Sequence, residues 1–259
     1  MKTLYLSIVP VLLFSLIACT NSNTNTNAPT IPEDVGPQEK TENTAKKEST
    51  FTYGIDISKF QGDEMAFMDK SKDSLNFIIC RSTEGITYID PKFQTNWTSI
   101  KEKGFIRGAY HFYRSDDDPN KQADNFLQTV GTFEANDFPP IIDFEEKSIV
   151  DGSDKTKVID DLLSFIEIIE TKTGRLPMIY TDINIGNSYL SSEKFAQYPL
   201  WIADYNSKTE PRMPGAWKNN EWILWQKTYQ YMYETFQDDF DQYNGDISAL
   251  KAFIVSTKQ

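Results

Sequence analysis

From Phe51 onward, short apolar runs alternate with stretches whose apolar residues recur every three or four positions. The runs "TYGIDIS" (52–58), "NFIICRS" (76–82), "FIRGAYHFY" (105–113), "PPIIDFE" (139–145), "PMIYT" (177–181), "PLWIADY" (199–205) and "EWILWQKT" (221–228) read as buried strands. Between them, "DPKFQTNWTSIKEKG" (90–104) reads as a helix, with Asp90 as N-cap, Pro91 at the first helical position and Gly104 closing it. Its Phe93, Trp97 and Ile100 share one face. "DPNKQADNFLQTVG" (118–131) repeats the Asp-Pro start and Gly stop. "SDKTKVIDDLLSFIEIIETKTG" (153–174) is a long helix whose inner face is Val158, Leu162, Phe165, Ile166 and Ile169.

Short strands alternating with helices predict a parallel α/β architecture, a single TIM-like barrel rather than an open nucleotide-binding sheet. After Tyr205 the pattern degrades: "NSKTEPRMPGAWKNN" (206–220) holds Pro211, Pro214 and Gly215 and makes a poor helix. The barrel is therefore expected to be irregular, with helices missing in its C-terminal third. The last segment, "DFDQYNGDISALKAFI" (239–254), is not divided by pattern alone.

The first fifty residues carry a different pattern. Residues 1–18 read as a secretion signal, with Lys2 before the apolar Leu4–Ile17, too short for a comfortable membrane span. "LIAC" (16–19) resembles the lipobox of bacterial lipoproteins, which makes Cys19 the expected lipidated residue. Residues 20–50 contain no aromatic side chain and only Ile31 and Val35 as large aliphatics, so residues 19–50 are expected to form a disordered tether. Residues 51–259 remain as one domain, long enough for a substantial core.

Charge and rare residues narrow the function classes. The chain carries −12. Removing Lys2 and the tether's five acids and three lysines leaves about −11 on the domain. Such a surface argues against nucleic acid as a partner and against electrostatic adhesion to an anionic envelope. A lipid anchor would hold the protein near its site of action instead, at the cell envelope; Thr20 after the cysteine points to the outer membrane of a two-membrane cell. Cys80 has no second cysteine in the domain and reads as a small buried hydrophobe. With His111 as the one histidine, zinc chemistry lacks ligands; no metal and no cofactor is expected.

In barrels of this kind the active site gathers at the C-terminal strand ends. Those ends carry Asp56, Glu84, Tyr110, Asp143, Glu145, Tyr180, Trp201, Tyr205 and Gln226: carboxylates and aromatics. Asp143 and Glu145 are two apart, so on a strand they share a face, with Cα atoms roughly 6.6 Å apart. Two facing carboxyls in a desolvated site cannot both ionise easily, so one is held protonated beside an ionised partner, the arrangement glycoside hydrolysis needs. The aromatics offer faces for sugar rings.

The segments "YGIDISKFQGD", "STEG", "RGAYHFYR", "PPIIDFEE", "MIYT", "PLWIADY", "WILWQ" and "DFDQYNGD" occur in this order. Together they make the chain resemble glycoside hydrolase family 25, the Chalaropsis-type lysozymes. The resemblance implies an irregular α/β barrel that cleaves the β-1,4 bond after N-acetylmuramic acid in peptidoglycan without a metal, acting as a monomer on glycan strands. It implies Glu145 as general acid and Asp143 as ionised partner, with Asp56 and Asp239 completing the carboxylates. Glu84, Tyr110, Tyr180, Trp201, Tyr205 and Gln226 would bind substrate. Three positions depart from the family pattern: Lys227 for an aromatic, Asp241 for an Asn, and "STEG" for an Ala-containing form. An active muramidase and a lipid-anchored glycan-binding module without turnover both remain open here; the intact acid pair favours the enzyme.

Overall fold

The computed structural model describes residues 51–72 and 74–259. The expected signal (1–18), Cys19 and the tether lie outside the described residues. The strands are β1 (Thr52–Ile57), β2 (Phe77–Glu84), β3 (Tyr88–Ile89), β4 (Ile106–Phe112), β5 (Ile141–Asp143), β6 (Met178–Asp182), β7 (Leu200–Ala203), β8 (Leu224–Tyr233) and β9 (Phe236–Tyr243). The helices are α1 (Phe93–Glu102), α2 (Pro119–Val130), α3 (Lys155–Thr173), α4 (Ile183–Tyr189), α5 (Glu193–Ala196) and α6 (Ile247–Ser256).

Eight strands close into a barrel in the order β1-β9-β8-β7-β6-β5-β4-β2, with β2 returning to β1; the two-residue β3 is a short hairpin off β2. From β2 through β8 the ladders are parallel. β9 is the exception, antiparallel to both β1 and β8. It can be, because β8 and β9 form a hairpin instead of being joined by a crossover.

Side-chain alternation sorts the strands into two cores. Inside the barrel, Phe77, Ile79, Ile141, Met178, Trp201, Leu224 and Tyr243 pack together, and Leu250 and Ile254 of α6 join them. Outside, Ile78, Cys80, Ile142, Phe144, Ile179 and Ile202 pack with Phe93, Trp97, Phe126, Phe165 and Ile166 from the helices. Every residue of the predicted inner face of α3 is buried. Each such side chain contributes roughly 1.5–3 kcal/mol over an exposed position. Gly54 packs closely against the interior: a Cβ there would come within 2.2 Å of the Phe77 ring.

Two local expectations are corrected. α1 begins at Phe93, later than expected, with Lys92 at the N-cap position. Asp90 still caps the turn before it: one carboxylate oxygen accepts from the Lys92 amide at 2.8 Å, and the other accepts from the Lys59 amide at 3.0 Å, tying that turn to the β1–β2 loop. β5 is only three residues long; Glu145 stands past its end, as the N-cap of a 3-10 turn, Glu146–Ser148. α2 and α3 start as expected, with Asp118 and Asp154 capping them through their side chains. Between β7 and β8 there is a single 3-10 turn, Gly215–Trp217, where the prolines forbid more. The undivided last segment falls half into β9 and half into α6.

Candidate active site

The interior-facing positions at the top of the barrel open into a cavity of about 450 Å³. Its lining includes Asp56, Glu84, Tyr110, Asp143, Glu145, Tyr180, Trp201, Tyr205, Gln226 and Asp239. The structure thus brings all ten barrel residues singled out from the sequence to one place.

How each arrives there differs. On β5 the alternation is simple: Ile141 and Asp143 point in, while Ile142 and Phe144 pack outward. Backbone at Glu145 stays extended (φ −129°, ψ −177°), so its side chain returns to the cavity although the strand has ended. On β2, strict alternation would carry Glu84 outward, since Phe77 and Ile79 point in and Arg81 lines the cavity. A register shift between Arg81 and Thr83 inserts one residue and returns Glu84 to the mouth. Asp239 reaches the same rim from the other direction. Its strand runs antiparallel, so its N-terminal half lies beside the C-terminal ends of its neighbours, and Asp239 pairs in register with Asp56.

A hydrogen-bond relay ties one wall together. Gln226 donates Nε2 to Asp56 Oδ2 at 2.6 Å, while its Oε1 accepts from Tyr180 Oη at 2.9 Å and Tyr205 Oη at 2.6 Å. Below it, Trp201 Nε1 donates to Asp241 Oδ1 at 2.8 Å. Asp241, where the resemblance leads one to expect Asn, is completely buried, and its Oδ2 has no hydrogen-bond partner.

Five carboxyls around one space bind protons more tightly than they would in water. Burial pushes Asp56 well up, and Asp239 and Asp241 push it further, while the bond from Gln226 opposes them. Asp239 is raised to about 6, first by burial and then by Asp238. Asp241 is raised well above the carboxylate range, again mainly by burial. In the Asp143–Glu145 pair both values are raised, and burial leads in both. Asp143 is 8% exposed with Oδ1 unpartnered, and burial raises it most strongly, ahead of the Glu145 charge. For Glu145, burial is followed by Lys147, which lowers it, and Asp182, which raises it.

This corrects the sequence expectation about cause. The charge of Asp143 was expected to hold the proton on Glu145. Instead desolvation dominates, and Asp143, the more buried carboxyl, is the harder of the two to ionise.

Cations were missed by the sequence reading. Arg81, Arg114 and Lys147 line the cavity beside the acid pair. Arg81 forms an ion pair with Glu84, and its guanidinium lies 5.1 Å from the Phe112 ring centroid. Glu84, expected to bind substrate, is therefore engaged by an arginine within its own strand. The signal for Arg81 was available in the "ICRSTEG" alternation; Lys147 lies in an irregular turn and has no such signal. Phe60 and Gln61, from the β1–β2 loop, complete the rim. Lys227 is not among the lining residues; it donates to Gln242 Oε1 at 2.8 Å.

His111 takes no part. It is fully buried between Phe126 and Phe165, bonded to Thr83 and Gln122, and burial pushes its pKa down to about 3. Among the described residues no group of three or more His, Cys, Asp and Glu side chains could hold a metal ion.

Comparison with known proteins agrees with this architecture. Protein YegX of Escherichia coli (strain K12) is 30% identical over 213 residues, covering 80% of this chain and 75% of that one. An N,O-diacetylmuramidase of Arthroderma benhamiae is 30% identical over 208 residues, 77% of this chain and 85% of that one. The crystal structure of a bacterial lysozyme from Streptomyces coelicolor superposes with a TM-score of 0.72 at 27% identity, over 80% of this chain and 99% of that one. Residues 55–235, from inside β1 to the β8–β9 turn, match the profile of glycosyl hydrolases family 25. The profile spans the barrel from β1 through β8, with every lining acid but Asp239, and the chain belongs to that family of glycoside hydrolases.

Proposed function

We propose that this glycoside hydrolase is a lysozyme, an N-acetylmuramidase that cleaves the β-1,4 bond between N-acetylmuramic acid and N-acetylglucosamine in peptidoglycan. One observation carries the reading: a carboxyl pair with raised proton affinity, Asp143 and Glu145, faces a cavity rimmed by Tyr180, Trp201 and Tyr205. The names of the fungal relative and the Streptomyces neighbour support it.

In this reading Glu145, the less buried acid, donates its proton to the leaving glycosidic oxygen. The positive charge that develops on the sugar then stabilises ionised Asp143, overcoming the burial that favours its neutral form. Asp239 adds negative potential from the opposite wall once ionised, and Gln226 holds Asp56 in place beside it. Glycan strands are the partner, and the protein acts as a monomer without cofactor.

Digestion of purified peptidoglycan with residues 20–259, followed by mass analysis of the new reducing ends, tests the proposal. N-acetylmuramic acid ends are expected. In Glu145→Gln their rate of formation should fall by ~10²–10⁴ while glycan binding survives. N-acetylglucosamine ends overturn the specificity, and binding without any turnover makes the chain a binding module.

The lipobox resemblance at residues 16–19 supports a further part of the proposal. Cys19 is lipidated after removal of residues 1–18, and the tether holds the enzyme at the envelope, at the outer membrane where there are two. Cys19→Ser should yield unprocessed or soluble protein on fractionation. Wild-type protein found wholly soluble would overturn it.

A further inference from the structure

Three cations stand on one wall of a cavity in a domain of strongly negative charge. Arg81 rises from β2, Arg114 follows β4, and Lys147 lies in the turn after β5, three neighbouring positions around the barrel. The facing wall carries Asp56 and Asp239. Glu84 lines the cavity among these cations and Asp143 and Glu145 stand beside them, three carboxyls to three cations, and burial biases both members of the acid pair toward their neutral forms.

The cations are held in place but not fully used. Arg81 gives Nη2 to Glu84, yet its Nε is buried without a partner. Arg114 is fixed by Nη1 donating to the Lys147 carbonyl at 3.0 Å, with Glu84 at 3.8 Å and Asp116 at 3.7 Å. Among the described residues Lys147 Nζ has no ion-pair partner within 4.0 Å. Bonding within the protein therefore does not account for it.

The chemistry of the acid pair accounts for them only in part. Lys147 and Arg81 favour the ionised form of Asp143, but both also lower the proton affinity of Glu145, which works against a general acid. A neutral sugar ring needs no cation either. A negative charge on the substrate does.

We propose that Arg81, Arg114 and Lys147 form a carboxylate subsite for the substituent carried by the muramyl sugar, so that the substituent points to the β2–β4–β5 wall and fixes the direction of the glycan in the cleft. The proposal rests on the muramidase reading. The carboxylate has two sources: the lactyl ether group itself on strands stripped of peptide, or acidic groups of an attached stem peptide. The opposite side of the cavity holds Asp56 and Asp239 and lines no cation against them, so it offers a carboxylate no partner, which leaves one orientation.

The experiment uses residues 20–259 carrying Glu145→Gln, so that binding is read without turnover. Isothermal titration compares four soluble ligands: a peptide-free muramyl oligosaccharide, the same with its lactyl carboxylate converted to a methylamide, a muramyl oligosaccharide bearing its stem peptide, and an N-acetylglucosamine oligomer. A charge-assisted contact predicts that a carboxylate form binds roughly tenfold or more tightly than the methylamide, less so at high salt. Adding Lys147→Gln should erase that preference and leave the methylamide affinity unchanged. Preference for the peptide-free acid assigns the lactyl carboxylate, and preference for the peptide-bearing ligand alone assigns the stem. Equal binding of acid, amide and peptide-bearing forms overturns the subsite while leaving the muramidase reading intact. Failure of every muramyl ligand to bind, with the N-acetylglucosamine oligomer binding, overturns both.

Discussion

Asp56 and Asp239 stand opposite one another in register across the antiparallel β1–β9 pair, two acids on a shared interior face. Each binds protons more tightly in the fold than in the unfolded chain; Asp239 is raised from 3.8 to about 6. A carboxyl raised in this way contributes most at low pH, and its contribution declines as pH climbs from the ordinary value through the folded one. Asp239→Asn removes that decline. The Tm of the variant should match wild type near pH 3.5 and exceed it increasingly from pH 4 to 7, with activity reduced. A Tm difference that does not change with pH would show that Asp239 does not titrate in the fold.

The acid pair predicts an unusual pH profile. Activity should fall as pH rises through the raised value of Glu145. Because burial leads and Asp143 does not set that value, Asp143→Asn should leave the basic limb close to where it was. Its kcat should drop by roughly 10²–10³ through lost charge stabilisation. Lys147→Gln should move the limb upward instead, since Lys147 is the largest influence lowering the acid. A limb that moves down in Asp143→Asn would restore charge repulsion as the cause. The pH dependence of kcat for the three proteins decides it.

Gln226 satisfies three groups at once: Asp56, Tyr180 and Tyr205. Gln226→Leu leaves the Tyr180 hydroxyl and Asp56 buried without their partners. At about 1–3 kcal/mol for each of the two orphaned groups, a stability loss of roughly 2–6 kcal/mol is expected in urea unfolding. Loss below about 1 kcal/mol would mean that water replaces the amide.

Away from the cavity, Glu64 and Asp238 are buried against each other, and none of their four carboxyl oxygens has another hydrogen-bond partner. A shared proton supplies the one bond available. Burial is the first cause of both shifts, Glu64 rising to about 9 and Asp238 to about 6. Stability held by that proton is therefore lost progressively above the ordinary Glu value, up to about pH 9. Glu64→Gln supplies a permanent donor to Asp238. Its Tm should rise above wild type by about 2–4 °C near pH 8 and hardly at all near pH 4. Destabilisation at both pH values would indicate that the carboxyl is held by packing that an amide disturbs.

Much of this protein was written locally along the chain. The inner face of α3, the Asp-Pro and Gly ends of α2, and the in–out alternation through Ile141, Ile142 and Asp143 follow from nearest-neighbour geometry, and a sequence carries that geometry directly. The strand ends marked out nine of the ten candidate residues now found at one mouth, and the family resemblance supplied Asp239. What depended on distant partners was not legible. Asp90 reads as a cap alone, yet its second carboxylate oxygen also accepts from the Lys59 amide, 31 positions away. Glu84 faces the cavity only because a register shift sits between Arg81 and Thr83, and that shift is set by pairing with β4. The direction of β9, which sets Asp239 against Asp56 and buries Asp241 beneath them, comes from the hairpin with β8. The proton balance of Asp143 and Glu145 belongs to the tertiary structure most of all. Their spacing shows that they face each other's field, but how deeply each is withdrawn from water depends on everything packed over it, and desolvation outweighs the charge between them.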